Sequence, residues 1–357
     1  ALVRKPLPAL VGEVADKADG NANDFTFDFT LQPCKQITEF FGLPVHALYD
    51  VEINGAVNSD ERQVYVNVDA PYLQQGDKLI ENTSVFAMLN GETDDNRVYI
   101  TSQFPTKKGD MAVSTLVTAL DSRLDTRIDW AIERAIPLNG TISFATELRK
   151  IGKSAEATFP VDATVDFLPG TINFGDEVWS IVPSTINVTP DRVDVKHFAL
   201  EAGSQAIAID GVVGTSKTDS ITVGLRTVSL LPVFETLEID NALIGGRATG
   251  VFTAKDLLGG NPFLECPSLH VDSIGYQRCT IGDADILAQW NNERKSFYLD
   301  ADITGLEGRK SRIFGDIYPF TEALDMNFDA DSVPVGFLKP FMIAFARDIS
   351  GRASGHC

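Results

Sequence analysis

The chain has few of the residues from which catalytic and metal sites are built. Its 357 residues include 4 histidines and 4 cysteines, which are scattered and form no CxxC motif. Nucleophile elbows, HExxH motifs, Walker loops and glycine-rich dinucleotide motifs are also missing. The sequence therefore predicts a protein that is not an enzyme and that binds no metal or cofactor. A bond between Cys266 and Cys279 is the one disulfide pairing that stays open.

Basic residues and long apolar runs are scarce too. Lys and Arg number 30 against 50 Asp and Glu, for a net charge of -20. Such an acidic surface disfavours nucleic acid as a partner, because phosphate binding needs clustered Lys and Arg. No stretch approaches the roughly 20 apolar residues of a membrane-spanning helix, and no signal peptide opens the sequence. A glycine-marked pattern that starts at residue 351 stops at Cys357, so we interpret the chain as a fragment of a longer one.

Alternation of apolar and polar residues is the main pattern that is present. Phe25, Phe27 and Phe29 alternate with Asp and Thr, and the same period of two recurs along the chain. Successive side chains of a strand point to opposite faces, so each run predicts a strand with one apolar and one polar face. The alternation changes phase near Lys196 and His197. Many such runs separated by turn residues predict an all-β fold.

The apolar side of these strands is the predicted functional surface. Phenylalanine is the most abundant aromatic residue of the chain, with 22 residues against 7 Tyr and 3 Trp. Its side chain has no polar group that needs water, so it suits a surface that stays dry. The candidate lining residues are Phe25, Phe27, Phe29, Ile128, Trp130, Phe144, Phe159, Val161, Val165, Phe297, Leu299, Met326 and Phe328.

Three apolar segments interrupt the alternation, at residues 31–43, 228–240 and 335–347. Each is too apolar for a loop and predicts a short helix or turn that lies over the sheet, either closing a core or gating a channel. Each precedes a strand that opens with small residues. Repeat units starting near residues 31, 228 and 335 predict one elongated, repetitive array over residues 1–357.

The order of these motifs carries a resemblance to a known family. Residues 209–355 resemble the TamB family of translocation and assembly modules, within the AsmA-like superfamily, in its Bacteroidetes-type form. The matching segments are 209–214, 219–223, 231–232, 245–250, 282–284, 289–292, 296–303, 337–341 and 348–355.

The resemblance implies a long sheet that curls into an open trough, or β-groove, with an apolar lining and a few capping helices. It implies a non-catalytic, periplasm-spanning conduit for phospholipid acyl chains between inner and outer membranes, or a segment for outer-membrane protein biogenesis. It also implies that the parent protein has an N-terminal inner-membrane helix and an outer-membrane barrel partner of the Omp85 type. Both would lie outside this sequence.

Two alternatives remain open at this point. The apolar strand faces could pack against a second sheet, which would give a surface β-sandwich array for adhesion or ligand binding. The carboxylate pairs Asp283/Asp285 and Asp300/Asp302 have the i, i+2 spacing that places both groups on one strand face. They could bind calcium or act as acid and base, although a solvated polar face explains them more simply.

Overall fold

A computed structural model describes residues 24–33, 45–106, 109–133, 138–149, 162–175, 177–236, 244–259, 261–276, 279–305, 307–321, 323–338 and 350–357. The chain divides into two compact units, Ala1–Pro190 and Asp191–Cys357. Both consist of antiparallel strands with very little helix, so the prediction of an all-β fold is confirmed.

The first unit is an antiparallel sheet in which most neighbours in sequence are neighbours in space. Its central part runs from β3 to β9, with β1 beside β3 and β2 beside the end of β4. Strand β9 pairs with β11 over its first half and with β10 over its second. The strands are β1 Asp24–Leu31, β2 His46–Ala47, β3 Val51–Asn58, β4 Gln63–Gln75, β5 Lys78–Asn90, β6 Arg97–Thr106, β7 Gly109–Leu120, β8 Arg123–Ile132, β9 Leu138–Leu148, β10 Ala163–Phe167, β11 Gly170–Phe174, β12 Glu177–Val182 and β13 Ser184–Thr189.

The second unit is an uninterrupted meander, since each described strand pairs with the next in sequence. Its strands are β14 Arg192–Ala202, β15 Gln205–Gly214, β16 Ser220–Ser229, β17 Ile244–Lys255, β18 Phe263–Tyr276, β19 Cys279–Asn291, β20 Ser296–Gly305, β21 Lys310–Tyr318, β22 Ala323–Pro334 and β23 Arg352–His356. Helix α1, Leu230–Thr236, follows β16, and a 3-10 helix, Val335–Leu338, follows β22.

Two of the three predicted cap segments contain a short helix. Helix α1 lies within 228–240, and the 3-10 helix lies within 335–347. Leu230 of α1 packs against a cluster of buried residues, so this cap closes part of the core. In the segment at 31–43, Leu31 ends β1, and residues 34–43 lie outside the described residues.

A recurring β-bulge explains why the alternation changes phase near Lys196 and His197. Val195 pairs with Gly211 and Phe198 with Ile209. Two residues of β14, Lys196 and His197, therefore lie opposite a single residue of β15, Asp210. His197 adopts a left-handed conformation, with φ 55°, and its N–H donates to Asp210 Oδ1 at 3.2 Å. The bulge keeps Val195 and Phe198 on the same face, and bulges of this kind bend and twist a strand locally.

The same arrangement occurs at three further bulges of the second unit. In each, a residue with positive φ donates its N–H to a side-chain oxygen of the neighbouring strand. The pairs are Thr227 with Thr249, Ser273 with Asp283, and Ser332 with Ser354.

Gly315 illustrates how closely two strands approach within the second unit. Its φ is 152°, a conformation that strains other residues, and an added Cβ would overlap the backbone carbonyl of Asp325. We expect Gly315→Ala to lower the free energy of unfolding by about 1–3 kcal/mol. Urea denaturation measures this change. Gly305→Ala is the control, because a Cβ there meets only ordinary contacts; equal losses in the two variants would contradict the prediction.

The cysteines do not form the disulfide that the sequence left open. Cys266 is buried and Cys279 is partly buried, and both thiols are free. Cys266 lies opposite Ala288, nine residues along β19 from Cys279, which corresponds to about 30 Å at ~3.3 Å per residue. A disulfide requires Cα atoms within about 7 Å.

Candidate functional site

The strand register gathers the predicted lining residues of the first unit onto one side of its sheet. Residues directly opposite each other in an antiparallel pair share a face. One such row joins Phe27 through Gly55, Val66, Ala87, Val98, Val117 and Thr126 to Phe144. Parallel rows contain the other described candidates of this unit, Phe25, Phe29, Ile128, Trp130 and Val165. We call this side the apolar face of the first unit. Phe159 and Val161 lie outside the described residues.

The second unit has a corresponding apolar face. Trp290 lies opposite Phe297, and Leu299 and Met326 lie on either side of Gly315. Phe328 ends a further row that runs through Leu269, Ile286, Ala301 and Ile313. All four candidates predicted here therefore share one side, the apolar face of the second unit. The sequence alone placed them on two separate alternating strands, and the register now places them on one continuous surface.

Exposure divides the second apolar face into a closed part and an open part. The closed part is the row Ala248, Val271, Ala284 and Ile303, where Ala248 and Val271 are 0% exposed. In the open part Phe328 remains 41% exposed and Leu324 71% exposed. In the first unit, Phe25 and Phe29 at the edge are about half exposed, at 50% and 49%. Large apolar side chains thus remain accessible on both faces.

A cavity of about 290 Å³ lies on the apolar face of the second unit. Ile221, Phe252, Leu264, Cys266 and Phe297 contribute to its almost wholly apolar wall. Its volume is near the lower end for small-molecule sites. Burial raises the pKa of the Cys266 thiol, so the thiol stays protonated and contributes an apolar surface.

Sequence reasoning identified Phe297 but missed the other residues of this cavity. Beside Phe297, four separate strands, β16 to β19, contribute these residues. The register shifts between Gly250 and Thr253 and again between Cys266 and Leu269. Each shift changes which residues of the strand point to the apolar face. The residues that surround Phe297 could therefore not be identified by counting along the sequence.

The opposite side of each sheet is polar, and its charged side chains form ion pairs both along a strand and between strands. In the first unit Arg127 contacts Asp129 at 2.8 Å and 2.9 Å, and Thr141 donates to the same carboxylate. In the second, Arg312 contacts both oxygens of Asp300 at 2.8 Å and 2.6 Å. The guanidinium groups lower the pKa of both Asp129 and Asp300. Both ion pairs are exposed, so each of them contributes little to stability.

Three of the four aspartates considered for calcium have protein partners. Asp285 contacts His270 Nδ1 at 2.7 Å, and Asp283 accepts the Ser273 N–H at its bulge. Asp300 is held by Arg312. Among the described residues, no group of three or more His, Cys, Asp or Glu is arranged to hold a metal ion.

His270 makes the stability of the second unit depend on pH. Hydrogen bonds from its ring to Asp285 and, at 3.2 Å, to Asp272 raise its pKa above the usual 6.5. The stabilisation is therefore fully present below pH 6.5 and is lost as the pH rises through the raised pKa. We expect wild type to exceed His270→Gln in melting temperature by more at pH 5.5 than at pH 8.5. Thermal denaturation at both pH values measures this, and a pH-independent difference would contradict it.

No protein-family profile, characterised protein or solved structure matches the chain. In the part of the chain that the structure describes, no helix has both the length and the apolar character needed to cross a membrane. The apolar face of each unit is accordingly the feature from which a function can be argued.

Proposed function

We propose that the chain is a non-catalytic, lipid-binding segment whose apolar faces contact the acyl chains of phospholipids. The observation that carries this proposal is the continuity of those faces, on which large side chains such as Phe25, Phe328 and Leu324 stay accessible. A sheet with an apolar face must cover it. Hydrocarbon can do so without any specific polar group, and each buried CH₂ contributes about 0.8 kcal/mol.

The sheet topology of each unit supports a lipid-covered face. The described strands of each unit belong to one hydrogen-bonded sheet, and the contacts between them are mainly those between hydrogen-bonded neighbours. Among the described side chains of helix α1, Leu230 packs against the buried cluster. The cavity beside Phe297 then offers a partly open, apolar place for part of a hydrocarbon chain.

The resemblance to TamB extends the proposal to a cellular role. In that role the chain is a periplasmic segment of a longer protein, which moves phospholipid between the inner and outer membranes or supports outer-membrane protein biogenesis. The paired polar side of each sheet, with contacts such as Arg312 to Asp300, suits a water-exposed exterior. The outer-membrane partner belongs to the parent protein.

Mass spectrometry of organic extracts tests the proposal directly. The purified chain, expressed in a bacterium and washed free of detergent, is expected to carry phospholipid in near-stoichiometric amount. Vesicles of phosphatidylethanolamine and phosphatidylglycerol with a fluorescent phospholipid measure uptake by the delipidated chain. Extracts without phospholipid, together with no uptake of the fluorescent lipid, would reject the proposal.

A further inference from the structure

The cavity on the apolar face of the second unit lies where two neighbouring strands depart from regular pairing. Between β18 and β19 the register shifts between Cys266 and Leu269, and Pro267 in this stretch has no N–H to donate to a ladder. Between β17 and β18 the register shifts beside it, from Gly250 to Thr253. Such bulges bend a strand locally, and the cavity lies at this bend.

Cys266 closes the cavity at the bulge. Its side chain is 1% exposed, and the backbones of Ser268 and Val251 hydrogen-bond to its sulfur. Thr253 and Glu265 also border the cavity, and the Glu265 carboxylate contacts the Lys255 ammonium at 3.5 Å. Among the described residues that line it, the cavity therefore offers a ligand apolar contacts and no charge without a partner.

We propose that this cavity binds the methyl end of a single acyl chain, and that it selects chain length without recognising the headgroup. The choice of hydrocarbon as the occupant rests on the proposed function; the inference adds which part of the lipid is bound and how much of it. An apolar cavity of ~150 Å³ stays dry and binds benzene, so a cavity of about 290 Å³ accommodates about a dozen carbon atoms. That space suffices for most of one acyl chain and is too small for both chains of a phospholipid.

A row of apolar side chains leads from the cavity to the exposed part of the same face. Phe297 forms part of the cavity wall and lies opposite Ile317, which lies opposite Leu324. The ring of Trp290 packs edge-on against Phe297, with the centroids 4.8 Å apart. Leu324 is 71% exposed, so hydrocarbon that lies along this row is covered on one side only. Carbon atoms inside the cavity therefore gain more from burial than those that follow along the row.

Calorimetry with single-chain amphiphiles of increasing length tests the proposal. Two series of about six to sixteen carbon atoms are titrated below their micelle concentrations, one with a carboxylate and one with a trimethylammonium headgroup. Binding should strengthen by about fourfold per CH₂ up to about a dozen carbon atoms, and by clearly less beyond that length. Salt at about 0.15 M screens the net charge of -20. We expect this break in the chain-length dependence at the same length in both series.

Two variants should move the break in opposite directions. Ala254 lies opposite both Ile221 and Leu264 in the cavity wall. Ala254→Phe places a ring in the cavity, so the break should fall by about six carbon atoms and decyl chains should bind at least about tenfold more weakly. Leu264→Ala removes about three carbon atoms from the wall and should raise the break by about as many. Ala208→Phe is the control, because Ala208 is exposed on the polar side, opposite Gly224; its break should stay that of wild type.

Circular dichroism verifies that each variant folds, and either cavity variant tests the inference by itself. Binding that strengthens evenly with length in wild type would overturn the inference. So would a break that differs between the two headgroups or does not move in a folded cavity variant. Tighter binding of naphthalene than of decyl chains, which have the same number of carbon atoms, would also overturn it, because the cavity would then fit a compact ligand.

Uptake of fluorescent phospholipid by the same proteins separates this inference from the proposed function. Uptake by wild type without the expected break would contradict the inference and leave the proposed function standing. A break that moves with the cavity variants, in a chain that takes up no phospholipid, would support the selection of single chains by the cavity and count against the proposed function.

Discussion

Val271→Asp is expected to unfold the second unit. Val271 is 0% exposed and lies between Ala248 and Ala284 in the closed row of the apolar face. A carboxylate there would lose its hydration without gaining a partner, which costs several kcal/mol. We expect a loss of about 4 kcal/mol or more in the free energy of unfolding, measured by urea denaturation followed by circular dichroism.

Val251→Asp is the matched control for this prediction. The same substitution is made in the same unit, but Val251 lies on the polar side and is 49% exposed. Surface changes of this kind usually stay within about ±0.5 kcal/mol. If the two variants lost equal stability, the assignment of faces in the second unit would be wrong.

Val165→Asp is expected to weaken lipid binding strongly while the first unit stays folded. Val165 lies on the apolar face between Thr146 of β9 and Ile186 of β13, and it is only partly buried. In the absence of lipid its carboxylate can reach water, so the melting temperature should change by only a few degrees. Against hydrocarbon the same charge costs several kcal/mol, so binding of fluorescent phospholipid should weaken by tenfold or more.

Asp166→Ala provides the comparison on the neighbouring residue. Asp166 lies on the polar side, where its carboxylate accepts a hydrogen bond from Thr185 Oγ1 at 2.6 Å. Lipid binding should be unchanged in this variant. A folded Val165→Asp that still binds lipid normally would show that this face is not the lining. Unfolding of Val165→Asp in a chain that binds no lipid would instead favour a tightly packed sandwich.

Local alternation was sufficient to predict the strands and their two faces. Phe25, Phe27 and Phe29 could be assigned to one side because the side-chain direction in a strand repeats every two residues. The same argument identified Phe297 and Leu299, and the apolar break at 228–240 predicted the region of helix α1. These features depend only on neighbours in sequence, and the structure confirms the strands, the shared faces and that helix.

Bulges mark the point at which local alternation stops being sufficient. Lys196 and His197 break the alternation, but the break alone cannot tell whether the strand ends or bulges. The answer depends on Asp210 of the next strand, whose carboxylate accepts the His197 N–H.

The sequence by itself determined the fold class, the amphipathic character of the strands and the side of each strand that is apolar. Only the tertiary structure decided which strands lie side by side and in what register. It thereby separated Cys266 from Cys279 and assembled the cavity beside Phe297. It also left Val271 buried while Phe328, on the same face, stays accessible. The physical reason is that the alternation of side chains along a strand is a local property. The register of the strand, and the residues that pack on its apolar face, depend instead on residues that are distant in sequence.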